Sequence, residues 1–270
     1  MPLINGVFSD ALPIHDRGFA YGDGVFRTLR LRDGNPRQWE HQYRKLVHDC
    51  SALHLACPTE RLLANEVAQA AATAPDGVAR ITITRGPGAR GYTLPAAAQT
   101  TRIVAVTPAP ERPAHWASEG VRVRLCATRA TFQPALAGIK HLNRLDSVLA
   151  RAEWTDDEIA EGLLFDHRGD LVGGTMSNVF LVERGALVTP ALAGAGIAGV
   201  QRDRVLALAA ARGIAARIEP VPVARLRVAD EFFLVNSVIG LWPVRAVDGM
   251  GDWTPGPLAV AAARWLQDEG

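Results

Sequence analysis

The stretch HDRGFAYGDGVFRT, residues 15–28, leads from a glycine-rich segment into a run in which apolar and polar side chains alternate. From Gly24 to Arg32 the alternation has the period of two that is typical of a strand, and Asp33 with Gly34 forms a turn signal. The GDG sequence at 22–24 lacks the third glycine of a dinucleotide-binding fingerprint. We therefore predict a strand that follows a structural loop, and a nucleotide-binding loop has little support.

Strands and helices alternate outward from this stretch. Alternating or continuous apolar runs predict strands at 78–84, 101–106, 121–126, 162–166, 179–182 and 231–237, and helical spacing predicts helices at 39–55, 60–74, from 200 onward and at 258–266. The turn at 167–170 and the strands on either side of it suggest a hairpin-like meander. The resulting fold class is α+β, with two α/β subdomains that each contain a mixed sheet.

The most proline-dense part of the chain lies between residues 107 and 113. Proline clusters between periodic segments are typical of linkers. We therefore expect a small N-terminal α+β subdomain at 1–112 and a larger C-terminal subdomain at 113–270.

Charge and composition exclude several classes of protein. The chain has 270 residues, 29 Lys and Arg, 28 Asp and Glu, and no basic stripe, which argues against binding to nucleic acid or to a membrane surface. No stretch approaches the roughly 20 apolar residues of a membrane span, and the N-terminus lacks the pattern of a secretory signal. The three cysteines, Cys50, Cys57 and Cys126, have no CxxC spacing and indicate reduced thiols in a cytoplasmic protein.

Familiar catalytic motifs are missing from the sequence. There is no phosphate-binding GxxxxGK[ST] and no GxSxG elbow of a serine hydrolase. The seven histidines lack the spacing of metal ligands, and no acidic loop suggests calcium. We expect no metal.

Lys140 is the strongest candidate for a nucleophile. Only two of the 29 basic residues are lysines, Lys45 and Lys140, and the residues just before Lys140 are largely apolar. A lysine amine becomes a useful nucleophile toward an aldehyde when it is desolvated or placed beside other cations. The alternative is an ordinary solvated lysine. The helix predicted after Lys140 has Leu142, Leu145, Val148 or Leu149 and Ala152 on its apolar face, with Asn143 and Asp146 as a weak capping pair.

A small flexible segment at 194–201 runs directly into a predicted helix. Free backbone N–H groups and the positive end of the helix dipole favour a phosphate at such a position. Arg44, on the first long predicted helix, is a candidate for a second contact to the same phosphate. An ordinary loop-to-helix turn and a solvated helix arginine are the alternatives.

Five separated motifs occur together in one order: residues 15–28, Arg44, KHLNR at 140–144, TMSNVF at 175–180 and GVQR at 199–202. In this respect the chain resembles the fold-type IV pyridoxal-phosphate enzymes, and within them the aminodeoxychorismate lyases. The first motif is shared with D-amino-acid and branched-chain aminotransferases, whereas KHLNR is more similar to the lyases.

The resemblance implies a pyridoxal 5′-phosphate cofactor. It implies that Lys140 carries the cofactor covalently and later transfers protons, that Arg44 binds its phosphate, and that Val200 and Gln201 hold the phosphate through backbone N–H groups. Ser237, at the end of the strand predicted at 231–237, matches a further residue near the phosphate.

The resemblance also assigns residues near the substrate. Arg90 and Tyr92 match positions near a substrate carboxylate, and Thr28 matches a residue close to the reacting centre. A homodimer is implied as well.

Position 173 departs from the family pattern. The family has a glutamate there, which keeps the pyridine nitrogen protonated, and this chain has Gly173. Because the protonated ring is the electron sink, we expect turnover to persist at a reduced rate. Asp166, Asp170 or a water molecule are the alternatives for the missing acid.

The function implied is the conversion of 4-amino-4-deoxychorismate to 4-aminobenzoate and pyruvate, a step of folate biosynthesis. Two alternatives stay open at this point. One is an aminotransferase acting on D- or branched-chain amino acids, and the other is a non-catalytic protein that binds pyridoxal phosphate.

Overall fold

The computed structural model describes residues 1–268 and divides the chain into two compact units. Unit 1 contains Met1–Pro110 together with the short segment Ile139–Asn143, and unit 2 contains Glu111–Gly138 and the chain from Arg144 onward. The five residues around Lys140 therefore pack with the first part of the chain, although they lie within the second part of the sequence.

Unit 1 is a six-stranded sheet in the order β2-β1-β6-β5-β3-β4, in which neighbouring strands are antiparallel. Its strands are β1 (Leu3–Ile4), β2 (Val7–Phe8), β3 (Gly24–Arg32), β4 (Asn35–Pro36), β5 (Val78–Thr84) and β6 (Thr101–Thr107). Its helices are α1 (Arg17–Tyr21), α2 (Trp39–Ala52) and α3 (Glu60–Ala71).

Alternation along β3 divides its side chains between the two faces of this sheet. Val25 and Leu29 face the core, which α2 and α3 complete with apolar side chains such as Leu46 and Val67. The opposite face carries Phe26, Thr28 and their neighbours on β5. The strand predicted from Gly24 to Arg32 is confirmed with the same bounds.

Unit 2 contains a nine-stranded mixed sheet in the order β12-β11-β10-β13-β14-β7-β8-β9, with β15 paired to β14. Its strands are β7 (Val121–Arg129), β8 (Ile159–Phe165), β9 (Leu171–Gly174), β10 (Asn178–Glu183), β11 (Ala186–Pro190), β12 (Ala216–Glu219), β13 (Glu231–Asn236), β14 (Gly240–Val247) and β15 (Gly251–Asp252). Its helices are α4 (His115–Ser118), α5 (Leu145–Arg151), α6 (Val200–Ala211), α7 (Val223–Leu226) and α8 (Pro257–Asp268). The parallel pairs are β11 with β12, β14 with β7, and β7 with β8. The predicted α+β class is confirmed.

Apolar clusters on the sheet stabilise unit 2. One contains Phe180 and Phe233, whose rings stack with centroids 5.2 Å apart, and it includes apolar side chains of α6 and α8. Another contains Trp116 and Trp242, whose rings meet edge to face at 5.0 Å. The sheet therefore holds the start of α6 through packing along the body of that helix.

The hairpin-like meander predicted around residues 167–170 is wrong in its second strand. The turn returns β8 to β9, whereas β10 pairs with β11 and β13. β9 ends in Gly173 and Gly174, so its sequence, LVGG, has no alternating side chains from which a strand could be recognised.

The prediction for the helix after Lys140 also needs correction. α5 begins only at Leu145, and Leu145, Val148 and Leu149 are 74%, 58% and 61% exposed rather than packed against the unit. Asn143 does not cap the helix: its side-chain amide donates to the Gly22 carbonyl at 3.3 Å.

Two further features of the described chain are the state of its cysteines and the character of its helices. Cys50, Cys57 and Cys126 are free cysteines. Among residues 1–268, none of the helices has the length and apolar character that a bilayer crossing needs.

Candidate active site

The short segment that contains Lys140 runs antiparallel to the start of β3 and forms backbone hydrogen bonds with it. The Phe26 N–H donates to the Lys140 carbonyl at 2.9 Å, and the Leu142 N–H donates to the Gly24 carbonyl at 3.0 Å. This close approach requires glycine at position 24, because a Cβ there would lie 2.9 Å from Leu142 Cδ1 in the Lys140 segment and 2.5 Å from the Ile83 carbonyl oxygen on β5. The glycine that begins the strand therefore makes room for the segment that carries Lys140.

The Lys140 amine lies over an aromatic ring on the face of the sheet opposite α2 and α3. Its Nζ is 4.5 Å from the centroid of the Phe26 ring, and the guanidinium carbon of Arg80 is 4.0 Å from the same centroid. Thr28 pairs directly with Arg80 in the register of β3 and β5, so its side chain shares this face. Two cationic side chains at one ring make this face attractive to an anionic group.

Arg80 was not predicted from the sequence. Burial lowers its pKa, because the charged guanidinium loses part of its hydration. The signal that could have found it is an arginine in an otherwise apolar and threonine-containing strand, VARITIT.

The Lys140 peptide is also held from the opposite side. Its N–H donates to Asp49 Oδ2 at 3.1 Å, and the same oxygen pairs with the guanidinium of Arg27. Asp49 is on α2 and is fully buried, and Arg27 is an inward-facing residue of β3 with 2% exposure. Neither was predicted as a site residue, although a charged residue at an inward position between Val25 and Leu29 is a visible irregularity.

The aspartates of the HDRGFAYGDG motif organise the surrounding loops. The Asp16 carboxylate accepts hydrogen bonds from the Gly18 N–H and from the hydroxyls of Thr84 and Thr101. A Cβ at Gly18 would lie 2.2 Å from Thr84 Cγ2, so this position requires glycine. The motif therefore joins α1 to the ends of β5 and β6.

Asp23 accepts hydrogen bonds from two buried arginines, Arg17 at 2.9 Å and Arg85 at 2.8 Å. Burial raises the pKa of its carboxyl, but the hydrogen bonds from Arg85 and Arg17 outweigh burial and hold the pKa below the ordinary value of 3.8. Asp23 therefore stays ionised and keeps both guanidinium groups in place.

The glycine-rich loop after β5 is tied to this network. Arg17 Nη1 donates to the Gly91 carbonyl at 2.8 Å, and the Gly91 N–H donates to the Tyr21 hydroxyl at 3.0 Å. The Tyr21 and Tyr92 rings are in contact, with centroids 5.4 Å apart. Arg90 and Tyr92, both predicted as substrate-binding residues, are exposed on an anchored loop.

Arg44, predicted to bind a phosphate, lies on α2 and is exposed. It follows that unit 1 brings Lys140 and Thr28 to one face of its sheet, while Arg44 is presented by a helix and Arg90 and Tyr92 by a loop.

In unit 2 the predicted phosphate-binding residues begin a helix of 12 residues. Val200 and Gln201 are the first two residues of α6, and Gly199 before them is extended. Backbone N–H groups in the first turn of a helix have no acceptor within that helix. The start of α6 therefore offers these N–H groups and a positive dipole end to an anion.

Asn178 fixes the loop that enters α6. Its side-chain amide donates to the Ile197 carbonyl at 2.7 Å, and its Oδ1 accepts from the Gly199 N–H at 3.0 Å. A Cβ at Gly199 would lie 2.4 Å from this Oδ1. The loop also exchanges hydrogen bonds with Gly138, whose N–H donates to the Gly196 carbonyl at 2.9 Å. Asn178 of the TMSNVF motif therefore positions the helix start, a role that the sequence did not reveal.

Ser237 follows the end of β13 at the same end of this sheet as Asn178. β13 pairs with β10 so that Asn178 faces Val235, and the Asn236 side chain donates to the Met176 carbonyl at 3.1 Å. Ser237 therefore lies next to a segment that is tied to the 174–177 turn.

Gly173 contributes only backbone to β9, where it pairs with Leu164. Asp166, one alternative for the missing acid, closes the turn after β8 by accepting the N–H groups of Arg168 and Asp170. The neighbouring strand β8 carries a buried carboxylate, Glu161, which was not predicted.

Glu161 is almost fully buried and holds the turn at 174–177. Its carboxylate accepts hydrogen bonds from the backbone and hydroxyl of Thr175, from the Met176 N–H and from the Ser177 hydroxyl. Burial raises its pKa, and these hydrogen bonds oppose the rise. A Cβ at Gly174 would lie 2.6 Å from Glu161 Oε2, which explains the second glycine of β9.

The part of the chain that the structure describes contains no group of three or more His, Cys, Asp or Glu side chains arranged to bind a metal.

Comparison with known proteins places these features in a family. The model of the family "Amino-transferase class IV" matches residues 24–247. The chain is 30% identical to the aminodeoxychorismate lyase of Vibrio harveyi over 244 residues, which cover 90% of each protein.

Two solved structures are similar over nearly the whole chain. The crystal structure of 4-amino-4-deoxychorismate lyase from Pseudomonas aeruginosa has 43% sequence identity and a TM-score of 0.95, with 99% of this chain and 98% of that chain covered. The branched-chain amino acid aminotransferase of Escherichia coli shares the fold at 22% identity and a TM-score of 0.87, with 97% of this chain and 92% of that chain covered. The family match covers Arg44, the Lys140 segment and the motifs at 175–180 and 199–202, and the chain therefore belongs to the class IV amino-transferase family.

Proposed function

We propose that this protein is a pyridoxal-phosphate-dependent lyase that converts 4-amino-4-deoxychorismate to 4-aminobenzoate and pyruvate, a step of folate biosynthesis. The observation that carries this proposal is the placement of the Lys140 amine over Phe26, on a segment hydrogen-bonded along β3. It is supported by 43% identity over nearly the full length to a lyase of that name.

The residues present fit the cofactor, which is pyridoxal 5′-phosphate. Lys140 offers the amine that its aldehyde needs, and the N–H groups of Val200 and Gln201 at the start of α6 suit its phosphate. Arg44 and Ser237 are assigned to the same phosphate. When bound, the cofactor supplies an electron sink for negative charge that develops at the carbon bearing the substrate amine.

Lys140 is assigned two proton transfers. Its Nζ first removes the proton from the ring carbon that bears the amino group, and the ring becomes aromatic as the enolpyruvyl group leaves. Nζ then returns a proton to the departing group, which gives pyruvate. Thr28 shares the sheet face of Phe26 and is assigned a place beside this centre.

Arg90 and Tyr92 are assigned to a carboxylate of the substrate. A dicarboxylate such as aminodeoxychorismate suits a guanidinium, which binds carboxylates through two parallel hydrogen bonds. The anchoring of their loop by Arg17 and Tyr21 supports this assignment, because an anchored loop loses less conformational freedom on binding.

Turnover is reduced because position 173 lacks a carboxylate. Asp166 and Glu161 are each engaged by neighbouring hydrogen-bond donors, Asp166 by a turn and Glu161 by the 174–177 segment. Elimination still proceeds, because aromatisation of the product ring favours it.

A homodimer is part of the proposal. Leu145, Val148 and Leu149 expose apolar side chains on the short helix α5, and burying such side chains against a second copy is favourable. Sedimentation of the wild type and of Leu149→Lys tests the dimer: the variant is expected to be monomeric.

We also assign residues 1–112 to a small subdomain and 113–270 to a cofactor-binding subdomain of a cytoplasmic enzyme.

The experiment that tests the function measures pyruvate and 4-aminobenzoate after incubation of the purified holoenzyme with aminodeoxychorismate. Borohydride reduction followed by peptide mass spectrometry is expected to find the cofactor on Lys140. Binding of the cofactor without product release supports a non-catalytic protein. Conversion of the cofactor to its pyridoxamine form by D- or branched-chain amino acids, without pyruvate release from aminodeoxychorismate, supports an aminotransferase and contradicts the proposal.

A further inference from the structure

The Lys140 peptide is held by a buried ion pair that has no direct part in the chemistry assigned above. Asp49 Oδ2 accepts the Lys140 N–H at 3.1 Å and pairs with the Arg27 guanidinium. Asp49 is 0% exposed and Arg27 is 2% exposed. Arg27 also donates to the Lys45 carbonyl at 3.3 Å, so its guanidinium binds α2 at two residues, Lys45 and Asp49.

An ion pair at this position calls for an explanation beyond stability. Removing two charges from water offsets much of their attraction, and apolar residues of similar volume often stabilise a protein equally well. Position 27 faces the core between Val25 and Leu29, where the alternation of β3 favours an apolar side chain. The pair therefore points to a requirement for the carboxylate itself.

The hydrogen bonds around Lys140 show what the carboxylate does. In an antiparallel ladder two residues that face each other as a hydrogen-bonded pair exchange two N–H···O bonds. Phe26 donates to the Lys140 carbonyl, and the Lys140 N–H, which would complete such a pair, donates to Asp49. The carboxylate thus holds the peptide at the point where the segment departs from the regular ladder.

We propose that Asp49, oriented by its ion pair with Arg27, is a positioning residue for Lys140. It fixes the peptide from which the side chain extends, and so fixes where Nζ lies relative to the Phe26 ring, 4.5 Å away. Because Arg27 balances its charge, Asp49 performs this role without placing a net negative charge beside the amine. This inference rests on the proposed function, since it requires that Lys140 carries the cofactor.

The same unit contains a matched control. Glu66 on α3 is 4% exposed and accepts hydrogen bonds from Arg102 Nε at 3.1 Å and Nη2 at 2.9 Å. This pair joins α3 to β6. Asp49→Asn and Glu66→Gln each neutralise one buried carboxylate that is paired with an arginine, and only the first touches the Lys140 peptide.

The experiment compares both variants as holoenzymes. For Asp49→Asn we expect kcat to fall about tenfold or more with KM within about twofold, because the amine is misplaced while the substrate contacts stay. We also expect the pH midpoint of the cofactor's absorbance change to shift, and the cofactor-free protein to attach pyridoxal phosphate more slowly. Glu66→Gln is expected to lower the melting temperature and to leave kcat, the absorbance midpoint and the attachment rate at wild-type values.

A double variant keeps the inference testable if Asp49→Asn does not fold. Arg27→Met with Asp49→Leu replaces the pair by apolar side chains, and we expect a folded protein whose kcat and absorbance midpoint are still altered. Wild-type values of both in a folded variant lacking Asp49 would overturn the positioning role. Borohydride trapping in the wild type tests the proposed function separately from the role of Asp49. An unmodified Lys140 contradicts the proposed function. A modified Lys140, together with Asp49 variants that behave like the wild type, contradicts only the positioning role.

Discussion

The two units hold their candidate site residues by different means. In unit 1 the segment with Lys140 is held by the buried pair of Asp49 and Arg27, and the loop with Arg90 by the partly buried Asp23 with the buried Arg17 and Arg85. In unit 2 the start of α6 is held by the neutral amide of Asn178 and by backbone hydrogen bonds.

This difference follows from what each unit has to present. A reacting amine has to be carried by a side chain in a defined position, and ion pairs fix direction strongly within a low-dielectric interior. A phosphate is bound by several backbone N–H groups at once, so a correct helix start is sufficient. Unit 1 should therefore be sensitive to single charge changes and to pH, and unit 2 to changes in backbone geometry.

The largest expected effect separates a side-chain role from a backbone role. Lys140→Ala is expected to lower kcat by about a thousandfold or more, because it removes the group to which both proton transfers are assigned. Gln201→Ala is expected to change cofactor affinity by less than about threefold, because its backbone N–H remains. Steady-state rates and cofactor titration measure both. Weak cofactor binding by Gln201→Ala at an unchanged melting temperature would contradict the backbone role in unit 2.

The next effect tests the charge network of unit 1. Asp23→Asn leaves two buried guanidinium groups without their carboxylate and is expected to cost about 3 kcal/mol of unfolding free energy at pH 7. Because the pKa of Asp23 lies below 3.8 in the folded state, the stabilisation is complete above about pH 5 and is lost as the pH falls through the folded value. Urea unfolding at several pH values measures this difference.

Asp156→Asn is the control for Asp23→Asn. Asp156 is 48% exposed and lies 3.7 Å from Arg122, so its loss is expected to cost less than about 1 kcal/mol. Equal losses of unfolding free energy for both variants at pH 7 would contradict the stabilising role of the Asp23 carboxylate. So would a loss for Asp23→Asn that is as large at pH 2 as at pH 7.

A smaller effect is expected at the start of α6. Asn178→Ala removes two hydrogen bonds and leaves buried backbone groups unpaired, at a cost of about 2 kcal/mol. We expect cofactor affinity to fall about tenfold, with kcat at saturating cofactor within about twofold of wild type. Fluorescence titration with pyridoxal phosphate measures the affinity. Asn35→Ala, whose exposed side chain bonds within a turn, is the control, and an equal loss of affinity there would exclude a specific role for Asn178.

The smallest effect concerns the position without an acid. Gly173→Glu is expected to raise turnover about threefold to tenfold and to change the cofactor spectrum, because a carboxylate strengthens the electron sink. A Cβ at Gly173 would meet the Ser177 carbonyl oxygen at 2.9 Å, so the backbone of the turn must shift to admit any side chain at this position. Gly173→Gln has a similar size and no charge. If Gly173→Glu behaves like Gly173→Gln, or if neither variant changes the rate and the spectrum, the missing carboxylate at position 173 does not limit turnover.

Local patterns predicted most of the regular structure. The strands at 24–32 and 78–84 were predicted with their observed bounds, because alternation and flanking turns are written in neighbouring residues. The strand β9 was not predicted, because its two glycines have no side chains that could show the alternation of a strand. The exposed apolar side chains of α5 were expected to be packed, since the sequence shows amphipathic spacing and does not show what covers it.

Residue types and short spacings were enough to nominate candidates for the groups that carry the chemistry. Motif order identified Lys140 as the candidate nucleophile, and helix-start signals identified Val200 and Gln201. Both kinds of signal can be read along the chain without any tertiary contact, so the amino-acid sequence was sufficient to nominate these candidates.

How these groups are held depends on contacts between distant parts of the chain. Asp49 lies 91 residues before Lys140, and Glu161 lies at least 14 residues from the donors that it binds in the 175–177 turn. Contacts of this kind depend on strand register and on which face of the sheet is covered. Such pairings arise from packing of the whole unit, so no local pattern could reveal that a buried carboxylate holds the peptide of Lys140.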